Sequence, residues 1–357
     1  MLVCLPLSLD IDNTTNAIPM ESSPSSLSIV AEAPGMLRIY EDGTVDRLID
    51  SSTVPPSSQL GDESREGVAS EDVVIDPQTG VFVRIFLPRL EGKQKVPVLV
   101  YFHGGAFCIG SAVSPIYHNY VNEVASEAKV ICLSVEYRKA PEHRLPAAYY
   151  DGFGVLEWLN RQAEAEEGAP VDPWLASHAD FSNVFLAGDS AGGNIVHQVG
   201  ILASGRNWDG LCLQGAILVH PAFGGKELIG WEVEPEGESQ NFSKFSDAIW
   251  GISLPPGADK DHPFSNPVGP RSPALSTLEY GRILVFVAEK DLLRDRAVLY
   301  YEALKKAGKD ADLVMAEGED HVFHLFNPKS ENVSPMLKRI SDFMHPSPSI
   351  PTQNLSV

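Results

Sequence analysis

Gly188-Asp189-Ser190-Ala191-Gly192 lies between an apolar run, Val184-Phe185-Leu186-Ala187, and a helix-like segment from Asn194 to about Ala203. A glycine-x-serine-x-glycine between a strand and a helix is a nucleophile elbow. The turn is so tight that the positions two residues either side of the serine call for glycine. The serine is thereby held in a strained conformation with its hydroxyl exposed above a sheet. The helix that follows points free N–H groups and the positive end of its dipole at a developing oxyanion. The pattern alone recurs by chance, and its strand-to-helix setting is what gives it weight.

Working outward, unbroken apolar runs occur at 98–102, 130–135, 184–187 and 216–219, and again at 283–287 and 313–316. Runs without polar alternation suit parallel strands covered by helices on both faces. Ahead of them, 72–75 and 81–87 flank the turn sequence Asp76-Pro77-Gln78-Thr79-Gly80, which predicts a hairpin. The crossovers carry helical patterns such as 296–306, closed by Gly308. A hairpin followed by parallel strands is an α/β fold with a mostly parallel central sheet.

Ligands and catalytic groups in such sheets gather beyond the carboxyl ends of the strands. After 98–102 comes His103-Gly104-Gly105-Ala106-Phe107, a loop whose backbone N–H groups at Gly104, Gly105 and Ala106 can turn toward an oxyanion, with Ala191 N–H as a further donor. After 283–287 comes Glu289-Lys290-Asp291, and after 313–316 comes Gly318-Glu319-Asp320-His321. Serine, then acid, then histidine is a triad order. Asp291 competes with Glu289 and with Asp295, which reads as a cap or an arginine partner on its helix. His321 competes with His324, which reads equally as a packed histidine. His197 and His220 read as packed, Asp189 as structural, and Glu136 with Arg138 as an ion pair holding a loop. No further ligand cluster accompanies the acid-His-x-x-His spelling, so neither a metal nor an organic cofactor is expected.

The stretches Tyr101-Phe102-His103-Gly104-Gly105-Ala106-Phe107, Glu136-Tyr137-Arg138-Lys139-Ala140-Pro141-Glu142-His143, Gly188-Asp189-Ser190-Ala191-Gly192-Gly193-Asn194 and Asp291-Leu292-Leu293-Arg294-Asp295-Arg296 resemble a plant carboxylesterase of the hormone-sensitive-lipase-like branch of the α/β-hydrolase superfamily, the group that includes the gibberellin receptors. The resemblance spans about 34–344. It implies Ser190 as nucleophile, Asp291 as acid, His321 as base, and an oxyanion hole from Gly104–Ala106 with Ala191. It also implies a cap built from the N-terminal segment and a mid-chain insertion. Many relatives carry a third glycine where this chain has Ala106; alanine keeps the donor with a negative φ but crowds the acyl side. Receptors of the family have lost the catalytic histidine, whereas His321 is present. Related dehydratases with threonine in the elbow are a further reading of the same site, and this chain keeps Ser190.

With 357 residues, 43% of them hydrophobic, the chain can bury a large core. A formal charge of −21 argues against nucleic acid or an anionic membrane surface as partner. Cys4, Cys108, Cys132 and Cys212 have no CxxC spacing; three lie in apolar runs and read as buried free thiols of a reducing compartment, cytoplasmic with the nucleus as a further option. Residues 1–30, with translation starting at Met1 or Met20, read as a disordered extension, and 347–357 as a disordered tail. Between them, 31–346 form one hydrolase domain, with irregular aromatic-bearing segments at about 31–70 and 224–265 as cap elements. The expectation is a monomer or homodimer acting on a small-molecule ester.

Overall fold

β-branched and aromatic runs become strands buried on both faces, and the chain between them folds back as helices. A computed structural model describes residues 27–49, 51–57, 67–165, 171–233 and 238–345. Three short strands come first: β1 (Ile29–Ala33), β2 (Leu37–Tyr40) and β3 (Val45–Arg47), a separate antiparallel sheet in that order. The expected hairpin follows as β4 (Val68–Asp76) and β5 (Val81–Pro88), with Val73 opposite Val83. Then come β6 (Val96–Phe102), α1 (Pro115–Ala128), β7 (Ile131–Glu136), α2 (Ala147–Ala163), α3 (Pro173–His178), β8 (Ala179–Asp189), α4 (Ala191–Ala203) and β9 (Leu213–Val219). After α5 (Glu238–Ser253) the chain completes β10 (Arg282–Ala288), α6 (Arg294–Lys306), β11 (Ala311–Ala316), α7 (Phe323–Phe326) and α8 (Val333–Met344).

Among the described residues the main sheet runs β11-β10-β9-β8-β6-β7-β5-β4, parallel from β11 to β7 and antiparallel beyond. This is the helix-flanked, mostly parallel sheet of an α/β-hydrolase fold. Alternate residues of β6 serve two core layers. Val98, Val100 and Phe102 join Leu156 of α2 and Val199 of α4, while Leu99 and Tyr101 join Val124 of α1 and Ile340 of α8. From β6 the chain steps one way to β7 and returns to β8 on the other side, so the order reverses at β6 and β8. A crevice opens beyond the strand ends at such a reversal. Phe102 pairs with Gly188 and Asp189 with Val219, which sets the ends of β6, β8 and β9 side by side there.

Both segments expected to be irregular contain regular elements. Residues 29–47 form β1–β3, and Val68–Ser70 already belong to β4. The 224–265 segment contains the 16-residue helix α5. Its Ile249 and Ile252 pack with Ala33 and Leu37 of the small sheet and with Cys108 and Ile109 of the loop after β6. The Arg47 guanidinium ties β3 to that loop, donating to the Cys108 carbonyl at 2.7 Å and the Ala140 carbonyl at 3.1 Å. Ile29 and Val30, assigned to the N-terminal extension, lie in β1. The remainder of that extension, including Met20, and the tail assigned to 347–357 lie outside the described residues. Cys108 and Cys132 are buried free thiols, but Cys212 is exposed because it sits just before β9, at the amino end of the sheet. No helix of the described residues is long and apolar enough to cross a membrane.

Candidate active site

β8 ends at Asp189 and α4 starts at Ala191, so Ser190 alone makes the turn, with φ 53° and ψ −117°. A non-glycine residue in that region is held there by its surroundings. Ser190 N–H donates to the Val219 carbonyl at 2.9 Å, and the Ser190 carbonyl accepts Ala222 N–H at 2.8 Å. A Cβ on Gly192 would overlap the Phe102 carbonyl oxygen, which is why the elbow's trailing position lacks a side chain. α4 begins at Ala191, three residues earlier than its apolar pattern suggests.

Three expected residues meet above the elbow. Ser190 Oγ lies 3.0 Å from His321 Nε2, and His321 Nδ1 lies 2.8 Å from Asp291 Oδ2. The Asp291 carboxylate can only accept, so Nδ1 carries the proton and Nε2 accepts the serine hydroxyl's. Asp291 is almost fully buried, whereas the His321 side chain is 33% exposed. Its other oxygen accepts Leu293 N–H at 2.8 Å. Burial pulls the His321 pKa down, but the charge and hydrogen bond of Asp291, helped by Asp189, outweigh it and leave the imidazole above 6.5. Burial likewise opposes ionisation of Asp291, and His321, His220 and Leu293 N–H outweigh it, holding the carboxyl below its usual value.

The loop after β6 departs from expectation at two residues. Gly104 N–H does not face the serine: it donates to Tyr117 Oη at 2.9 Å and Asp189 Oδ1 at 3.1 Å. Asp189 is fully buried and also accepts from Tyr101 Oη at 2.6 Å and Tyr117 Oη at 2.9 Å. The residue beside Ser190 thus clamps the loop after β6, and Gly104, expected among the donors, has its N–H engaged away from the serine. Among the described residues, Gly105, Ala106 and Ala191 N–H have no acceptor. The second departure is the sign of φ at Ala106, which is +53°, with Phe107 at +63°. The turn is closed by Cys108 N–H and Ile109 N–H, both donating to the Gly105 carbonyl at 2.9 and 3.0 Å.

A left-handed backbone costs a side-chain-bearing residue roughly 1–2 kcal/mol. Glycine's greater unfolded-state freedom takes back roughly 0.5–1 kcal/mol. Ala106→Gly should therefore stabilise the protein by about 0.5–1 kcal/mol. A lower denaturation midpoint would show instead that the Ala106 methyl, which packs against the cluster of Ile249 and Ile252, outweighs the strain.

The competing candidates lie elsewhere. Asp295 accepts from Arg294 Nε at 2.9 Å and Trp231 N–H at 3.1 Å, and Glu289 accepts Gly318 N–H at 2.7 Å. His197 is buried against Tyr300 Oη at 2.9 Å. His324 is buried with its ring 4.6 Å from Tyr120. The expected Glu136–Arg138 pair does not form. β7 ends at Glu136, which pairs with Lys139 and accepts Ala112 N–H at 2.8 Å, while Arg138 turns to Asp151 at 2.6 Å. His220, Asp291 and His321 group within 4.8 Å of one another, a spacing a metal ion could span. Hydrogen bonds already engage both His321 nitrogens and His220 Nδ1, so that set offers few free lone pairs. The Asp189 clamp by Tyr101 and Tyr117 is invisible in local spacing, since α1 delivers Tyr117 from 72 residues away.

A hydroxyl, imidazole and carboxylate in line at the strand ends of this sheet define a serine-hydrolase class of site. Residues 99–325 match the model of a family described by its alpha/beta hydrolase fold. The chain is 40% identical over 331 residues to a 2-hydroxyisoflavanone dehydratase of Glycyrrhiza echinata, covering 90% of this chain and 98% of the relative. It is 38% identical over 331 residues to probable carboxylesterase 13 of Arabidopsis thaliana, covering 88% and 98%. Among solved structures it resembles an esterase of Pyrobaculum calidifontis, with a TM-score of 0.64 and 26% identity over 78% of this chain and 84% of that one. The chain belongs to the α/β-hydrolase fold family, as a carboxylesterase-type member.

Proposed function

We propose that the protein is a serine carboxylesterase hydrolysing small carboxylic esters through an acyl-enzyme. The observation that carries this reading is the continuous relay from Asp291 Oδ2 through His321 to Ser190 Oγ, at 2.8 and 3.0 Å. His321 Nε2 takes the Ser190 proton as Oγ attacks the ester carbonyl, and Asp291 stabilises the resulting imidazolium. The N–H groups of Gly105, Ala106 and Ala191 hold the tetrahedral oxyanion. Collapse expels the alcohol, which takes the proton from His321. Water then attacks the acyl-Ser190, giving its proton to His321, and the carboxylic acid leaves with Oγ reprotonated. The small sheet and α5 act as a cap, a role supported by their packing on the loop of Cys108 and Ile109. The unpaired buried thiols Cys108 and Cys132 support a cytosolic location.

The test is a p-nitrophenyl ester panel with organophosphonate trapping. Phe107 lies 5.6 Å from Trp250 and 6.5 Å from Tyr149, which walls the inner side of the loop and favours acetyl to hexanoyl over palmitoyl. The phosphonate should modify Ser190 and no other serine. The base must be neutral to act, so kcat/KM should rise with pH along a limb centred above 6.5, and Asp291→Asn should move that limb downward. A flat profile between pH 5 and 8, or a modified serine other than Ser190, would remove this relay from the reaction. A second reading is favoured by the relative named as a dehydratase: His321 would abstract a C–H proton and a hydroxyl would leave as water. That route forms no acyl-enzyme, so it would survive phosphonate-insensitive, Ser190-independent turnover.

A further inference from the structure

His220 is the first residue after β9, and its backbone is in the left-handed region at φ 47°. So is Val322, also at φ 47°, the residue directly after His321. A β-branched residue at positive φ is uncommon, and Val322 is held there by a contact with His220, a second positive-φ residue beside the candidate site. That contact is a hydrogen bond: Val322 N–H donates to His220 Nδ1 at 2.8 Å. His220 N–H in turn donates to the Phe286 carbonyl of β10 at 2.9 Å, which anchors the histidine to the sheet.

The His220 ring is 1% exposed, and it packs between the rings of His321 and Phe323, each 5.8 Å away. Burial pushes its pKa down to about 4, so it is neutral where an esterase works. A neutral imidazole with Nδ1 accepting carries its proton on Nε2. Nε2 has no hydrogen-bond partner among the described residues. This tautomer also counts against a metal, because Nε2–H has no lone pair to give and moving the proton would set two donors face to face at Val322.

We propose that His220 is a positioning residue that holds His321 in line with Ser190 by accepting the N–H of the following residue, Val322. The inference rests on the esterase reading above. The turn carrying His321 spans only 317–322 between β11 and α7. Among the described residues its C-terminal side has one side-chain acceptor bound to the backbone next to the base, and that acceptor comes from the residue directly after β9. Loss of the acceptor frees Val322 to leave its strained φ, which rotates the imidazole away from Oγ. A misplacement of about 1 Å in such a group costs about 10²-fold in rate.

Two variants and one measurement on the unmodified protein test this. His220→Phe keeps a flat ring but removes the acceptor. His220→Asn places a carbonyl oxygen where Nδ1 stood, and asparagine accepts positive φ readily. His220→Phe should lower kcat by about 10²-fold with KM little changed, and His220→Asn should restore most of that loss. Equal losses in both variants, or full activity in His220→Phe, would overturn the proposal. Long-range imidazole ¹H–¹⁵N NMR on the intact protein needs no variant to fold: it should find His220 as the Nε2–H tautomer, and an Nδ1–H tautomer would refute the contact. Phosphonate labelling of wild-type Ser190 separates the two failures. If Ser190 does not label, the esterase reading falls, while the tautomer measurement still judges His220.

Discussion

Ser190→Ala is expected to lower ester turnover by about 10⁶-fold, the usual consequence of losing a triad nucleophile. The size follows from the site having no substitute. Among the described residues, no other hydroxyl is recorded within hydrogen-bond distance of His321, so no neighbour can inherit the proton transfer. What remains is the contribution of the oxyanion donors and of binding, which leaves some rate above the uncatalysed reaction. The fold should hold. Ser190 Oγ makes its recorded contact with His321 alone, while the strained turn is kept by backbone bonds to Val219 and Ala222. Alanine at φ 53° feels the same strain as serine, so the melting transition should move little. A variant retaining more than a tenth of wild-type kcat, with folding verified by circular dichroism, would remove Ser190 as the nucleophile. Turnover that persists on a hydroxylated substrate but not on esters would point to the dehydratase chemistry instead.

The main sheet is legible in the sequence because parallel strands covered on both faces leave unbroken apolar runs, as at Val98 through Phe102 or Val285 through Val287. The side chains that meet in the crevice are legible for a related reason. Residues 190, 291 and 321 each follow a strand end, where topology fixes the meeting point before any contact is known. The elements that fail to announce themselves are those without a long period. β3 has three residues and β2 four, too short to distinguish from a loop. α5 does carry a helical stripe, with Phe242, Phe245, Ile249 and Ile252 at spacings of three, four and three, but the serines, glycine and charged residues between them mask it. Gly104 and Ala106 are misread for a different reason. Which N–H is free is decided by Asp189 closing on the loop in three dimensions, and the positive φ of Ala106 leaves no mark in the local sequence.

The sharpest expected contrast is between two histidines three residues apart. His321→Ala should reduce turnover by about 10⁶-fold, because the same imidazole serves acylation and deacylation. Its side chain is 33% exposed, so folding should survive its removal. The stability change should depend on pH with a definite sign. A base whose folded pKa is raised adds stability that is fully present below 6.5 and is lost as pH climbs through the raised value. His321→Ala should thus destabilise more at pH 5 than at pH 9, the reverse of the pH range in which the wild-type enzyme works best. His324 should behave oppositely. It is 2% exposed, its ring lies tilted against that of Tyr120, and neither ring nitrogen has a hydrogen-bond partner among the described residues. Burial, reinforced by His220 and His321, pushes its pKa well below the usual value, so it is a neutral packing group. His324→Ala opens a cavity but also removes two unpaired polar atoms, and the balance should be a loss of about 2 kcal/mol in stability. Its kcat should stay within reach of wild type, since His324 makes no recorded hydrogen bond to Ser190, Asp291 or His321. The two variants, assayed side by side for urea midpoint and p-nitrophenyl butyrate hydrolysis, should separate cleanly: one folded and inactive, the other active and less stable. A stable but inactive His324→Ala together with an active His321→Ala would assign the base to the wrong histidine here.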